Sequence, residues 1–126
     1  MMSIRVFASA FITLMFFLSG FHKILGFTDT SKSLVKKTGV SLSLAKLVIF
    51  AVIVLELIAP SIITVYFAMK QPNRLQRYAQ LSTIALLIFT VAATLLYHFP
   101  PTGSNYYSAM SNMSTIGGLI LLYTLI

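Results

Sequence analysis

Long apolar runs alternate with short polar segments along this chain, and four of the runs are long enough to cross a bilayer as helices. The clearest lies between Lys46 and Lys70, interrupted once by Glu56 and bent near its middle by Pro60. The four predicted spans cover about residues 4–25, 46–70, 75–99 and 108–126. The first is read as a span rather than a secretory signal, because its apolar stretch exceeds an h-region and Leu18-Ser19-Gly20 is a poor cleavage site. Short connections between four spans predict an all-α, transmembrane up-down four-helix bundle in one integral-membrane domain, residues 1–126.

Polar and small residues within the runs recur at helical spacing, so each run has a candidate inward stripe. Arg5, Ser9, Thr13, Gly20 and Lys23 form the first. Thr83, Thr90, Thr94 and Tyr97 form the second, and Ser108, Ser111, Thr115 and Gly118 the third. Gly20, Gly117 and Gly118 are expected to allow close helix approach, as small residues do where lipid provides no hydrophobic push between helices. In the first connection, Asp29 or Thr30 could cap a short amphipathic turn bearing Leu34 and Val35 on one side and Lys32, Lys36 and Lys37 on the other. Gly39 would end that turn.

Composition narrows the function. The chain is 58% hydrophobic and 9% charged, with a mean hydropathy of +0.93, which excludes an ordinary soluble fold. Its absence of cysteine excludes disulfides, thiolate metal sites and thiol redox chemistry. The net charge of +7 would suggest nucleic acid in a soluble chain. Here the bases lie between apolar runs, so the expected partners are the lipid bilayer and other membrane protein subunits, with no nucleic acid. The expected location is an integral, multi-pass one. The basic residues divide four against five between the two sides, which leaves the orientation open under the positive-inside rule.

Glu56 is the residue most able to carry chemistry, because an ionisable group near the midplane must face other helices, a wet cavity, or keep its proton. With Lys46 about 15 Å away along the helix, the expectation is a neutral carboxyl, or one hydrogen-bonded to Thr13, Thr90 or Thr94, rather than an ion pair. Pro60 should free the Glu56 carbonyl four residues before it. His22, Lys23, Lys46 and His98 are expected to gather at one membrane face, with Arg5 toward the other. Two histidines and a remote carboxylate make a poor metal set, and no catalytic motif appears.

Four segments then read together: Arg5 with Ser19-Gly20-Phe21-His22-Lys23; Gly39-Val40 leading into Leu55-Glu56-Leu57; Tyr97-His98-Phe99; and Asn112 with Ile116-Gly117-Gly118-Leu119. In order and spacing the chain resembles the DoxX family of small four-helix membrane proteins. It departs from that pattern at Ile58-Ala59-Pro60, where the family usually has glycines. The resemblance implies association with membrane oxidoreductase systems, including the small subunits of thiosulfate:quinone oxidoreductase. Two functions follow as expectations. The first is a non-catalytic accessory or scaffold subunit of a larger membrane assembly. The alternative is a quinone-interacting membrane subunit using Glu56. No resident cofactor is expected, a quinone or a bound lipid being what such a bundle could take up.

Overall fold

The computed structural model describes residues 4–69, 74–97 and 103–126. They form five α-helices: α1 (Ile4–Leu25), α2 (Phe27–Thr38), α3 (Leu42–Ala68), α4 (Gln76–Tyr97) and α5 (Tyr106–Leu125), with a 3-10 turn at Gly103–Asn105 before α5. The chain is all-α. Three helices, α1, α3 and α4, are long and apolar enough to cross a membrane. In α5 the first half is diluted by Ser108, Ser111, Asn112, Ser114 and Thr115. His98, the Gln71-Pro72 turn and the Pro100-Pro101 stop lie outside the described residues.

The first connection is more ordered than its sequence suggests. Instead of a capped turn, α2 runs for 12 residues, begins at Gly26 with no side-chain cap, and ends at Gly39. Gly39 takes φ +75°, and its N–H donates to the Val35 carbonyl, closing the helix as a left-handed glycine does. Leu34 and Ser31 are buried beneath it, Leu34 against Ala45, Ile49 and Ile53 of α3. Ser41 caps α3 by accepting from the Leu44 N–H.

The main core joins Phe16 of α1, Ala59 and Ile63 of α3, Leu86 of α4, and Leu119 and Leu122 of α5. Neighbouring helices run antiparallel. Gly20 meets Glu56 while Phe16, one turn earlier, meets Ala59 and Ile63. Asn112 bonds Thr94 while Gln76, at the far end of α4, bonds the Ile126 carbonyl. The outward faces carry large apolar side chains such as Phe11, Leu47, Phe50, Ile88 and Leu95. Outward faces this apolar, over an interior that mixes large apolar residues with buried hydroxyls, are what a hydrocarbon solvent permits and water does not.

The predicted α1 stripe holds at Ser9, Thr13, Gly20 and Lys23 and misses at Arg5, and the α5 stripe is displaced. On α1 the buried line is Val6, Ser9, Thr13, Phe16 and Gly20, and Arg5 is exposed beside it. On α5 the inward line is Ala109, Asn112, Leu119 and Leu122, with Ser111 exposed. On both helices large side chains share the inward line, since a core packed to crystal-like density needs Phe16 and Leu119 to fill it. The glycines also separate. Gly20 lies hard against α3, Gly118 makes ordinary contact with Ile12, and Gly117 faces open space.

Candidate functional site: an ion pair beside a cavity

The site starts from the contact of α1 with α3. A Cβ at Gly20 would lie 3.0 Å from the Glu56 Cβ and 3.2 Å from the Leu57 side chain, so the two backbones approach as only glycine allows. Side chains on an α-helix lean toward its N-terminus. In this antiparallel pair, Lys23 therefore leans back along α1 toward Gly20, while Glu56 leans along α3 toward the end of α1. The two meet. The Lys23 Nζ donates to the Glu56 Oε1 at 2.6 Å and to the Ser19 hydroxyl at 2.7 Å. Glu56 is 1% exposed and the Lys23 side chain 21%, so the carboxylate is sealed and the ammonium is partly open.

This overturns the expectation of a neutral or threonine-bonded carboxyl. Thr13, Thr90 and Thr94 donate instead to carbonyls four residues back on their own helices, at 2.7 Å each. Such back-bonding satisfies a hydroxyl locally and leaves none of the three to serve Glu56. Ser61 likewise donates to the Leu57 carbonyl, one residue beyond the Glu56 carbonyl that Pro60 leaves without its N–H partner.

Lys23 is also separated from the expected interfacial cluster. The level of Gly20 on α1 is the level of Glu56 on α3. From there α1 continues only to Leu25, about 7.5 Å, whereas α3 extends back to Leu42, about 21 Å. Lys23 thus stops well short of Lys46, and α2 packs over the part of α3 that α1 leaves bare. His22, one position before Lys23, is exposed on the outer side of α1, and Lys46 is exposed near the start of α3. Arg5 lies at the opposite end of α1 from all of these.

Beside the ion pair is a cavity of about 720 Å³. Lys23 and Glu56 form part of its wall, with Ser19 and Phe16 from α1 and Val52 from α3. Phe89, Thr90 and Tyr97 of α4 lie across from them, and Asn112 closes one side from α5. Asp29, Thr30 and Ser33 of α2 line the remaining part. The Lys23 Nζ stands 5.9 Å from the centroid of the Phe89 ring, a cation–π distance. Asn112 is held by donating to the Thr94 hydroxyl at 3.0 Å.

The polar groups in this wall are oriented and few, as in sites that fix the position of a largely apolar ligand. An ammonium carries three donors. Lys23 commits one to Glu56 and one to Ser19, and it lines the cavity. Among the described residues no group of three or more histidines and acids could hold a metal ion, and Lys23–Glu56 is the one ion pair.

No family model, curated protein or solved structure matches the chain. The sequence points to both Lys23 and Glu56 but places them at different depths. It gave no role to Phe89 or Ser33, and Asn112 entered only through the family resemblance. The available signal was the i, i+4 pair Ser19 and Lys23 on the Gly20 face, combined with the opposed lean of side chains in antiparallel helices.

Proposed function

We propose that this chain is a DoxX-like integral membrane protein in which α1, α3, α4 and α5 cross the bilayer as an up-down bundle. In this reading its cavity takes up a quinone-type ligand on behalf of a larger oxidoreductase assembly. The observation that carries it is the partly open Lys23 ammonium, held by Glu56 and Ser19 on the wall of a cavity of about 720 Å³. That volume lies within the roughly 300–1,000 Å³ of small-molecule sites. A ring carbonyl would accept from the third donor of Lys23, with Phe89 and Tyr97 offering aromatic surface to the ring and the apolar helix faces accommodating a hydrocarbon tail. Glu56 aims the ammonium, so the pair acts as one polar anchor that carries no net charge into the membrane.

The test is equilibrium dialysis of the purified chain in detergent against a short-tailed benzoquinone. Wild type should bind it saturably. The double variant K23M/E56L, which replaces the pair with apolar side chains, should weaken binding by about tenfold or more, the equivalent of one charge-assisted hydrogen bond. Ala93 also lines the cavity, and A93F should reduce binding by filling it. Binding that is unsaturable, or equal in all three proteins, would remove the ligand reading.

The accessory-subunit reading is favoured by a different observation. Along the outer side of α1, Phe11, Leu14, Met15, Leu18, Ser19 and His22 line an open groove, and His22 is exposed there about two turns of helix from the middle of α1. A histidine turned outward on an otherwise apolar helix face gains a hydrogen-bond partner when another helix covers it. Co-purification of a larger complex that is lost in H22L, with benzoquinone binding unchanged, would support that role independently of the cavity.

A further inference from the structure

We infer that α2 is an interfacial helix that binds the headgroups of anionic lipids through Lys32, Lys36 and Lys37, with Lys46 of α3 extending the patch. The inference rests on the membrane placement of α1, α3 and α4 and is independent of what occupies the cavity. Its first observation is position. α2 covers α3 at Ala45, Ile49 and Ile53, at the end of the molecule where α1 stops at Leu25 and α4 stops at Tyr97. α3 begins beyond the end of α1, and α2 packs with Tyr97 at the end of α4 over this protruding first part of α3, on the side of the molecule where headgroups replace hydrocarbon.

The second observation is facial. α2 turns Leu34 and Ser31 inward and leaves Lys32, Lys36 and Lys37 exposed, and Lys46 is exposed as well. Asp29, in the first turn, is the only acid on α2. The lysines therefore repel one another without a compensating carboxylate on their own face, and an anionic surface relieves that repulsion. The Lys37 Nζ also lies 5.8 Å from the centroid of the Tyr97 ring, which sets an aromatic side chain beside a basic one, as at a membrane interface. Long stems let these lysines lie over apolar surface while their ammonium groups reach phosphate.

A basic face at this level fits a lipid phosphate better than a soluble anion or a nucleic acid, because the bilayer holds the phosphate plane beside it at high local concentration. Each lysine near an anionic leaflet is worth about a fivefold gain in association at physiological ionic strength. Three acting together should give a preference well above tenfold.

The experiment is native mass spectrometry of the full chain released from zwitterionic micelles containing equal phosphatidylglycerol and phosphatidylcholine. Wild type should carry phosphatidylglycerol over phosphatidylcholine by about tenfold or more. The variant K32Q/K36Q/K37Q should fall to near parity, and R74Q/R77Q, altered at the start of α4 at the other end, should retain the preference. A far-ultraviolet helical signal equal to wild type verifies that the triple variant is folded. Equal adducts in wild type, a preference that survives in the triple variant, or one lost in R74Q/R77Q would each overturn the inference. Displacement of the bound lipid by millimolar inorganic phosphate would also overturn it, by showing a site for a free anion.

Discussion

Replacing Lys23 by Met removes the only ion-pair partner of Glu56 among the described residues and leaves a carboxylate that is 1% exposed. Breaking a buried pair from one side costs about 3–5 kcal/mol, because the remaining charge has neither water nor a counter-ion. Lys23 is 21% exposed, and the cavity beside it gives water a route to the pair, which places K23M at the lower end, about 3 kcal/mol. E56Q should cost less, about 1.5 kcal/mol, since a glutamine oxygen can still accept from Lys23 and Ser19 still accepts a second donor. Removing both partners in K23M/E56L exchanges the pair for apolar side chains in an apolar setting. That exchange should be close to neutral. The cycle of K23M, E56L and the double variant should then give a coupling of about 3 kcal/mol or more in magnitude. The assay is reversible unfolding of the full chain from mild detergent by added dodecyl sulfate, followed by loss of helical signal. Costs of the two single variants that simply add, to within about 0.5 kcal/mol, would refute the argument, since the groups would then be satisfied separately.

Other consequences follow from the same geometry. G20A should destabilise the α1–α3 contact, since its methyl would sit 3.0 Å from the Glu56 Cβ, and G117A should be silent because nothing lies within 4 Å; the same unfolding assay compares them. I63A should cost about 2–5 kcal/mol by opening a cavity at a residue with no exposure. L47A, on an outward face that is 64% exposed, should cost well under half as much. N112A should cost about 0.6–1.5 kcal/mol through its lost bond to Thr94. Because the chain contains no cysteine, single cysteines can be introduced directly. In membranes, K36C should react with a water-soluble maleimide while I88C and L95C, exposed on the outer side of α4, should be shielded by lipid.

The apolar runs determined the helices by themselves. A run of twenty or more apolar residues has one stable conformation in hydrocarbon, where each backbone N–H and carbonyl must be paired within the segment. The first span, read as about 4–25, is α1 at Ile4–Leu25. Those read as 46–70 and 75–99 are α3 and α4 to within a few residues at the ends that are described, and the fourth, 108–126, is a helix, α5, outside the three that are long and apolar enough to span. Gly39 was also legible, because a left-handed helix end is a local demand on one residue. The length of α2 was not. Its twelve residues are helical because Leu34 finds Ala45 and Ile49 on α3, a contact between segments that no local signal encodes. The partner of Glu56 was decided in the same way. Reading depth from the ends of each run assumed that α1 and α3 begin and end together. Close packing at Gly20 instead slides α1 so that it stops about a third of the way from Glu56 to the start of α3, bringing Lys23 within reach of Glu56. Helical periodicity specifies which face a residue occupies. The register between two helices is a property of how their surfaces interlock, and here that register turns two separate charges into one site.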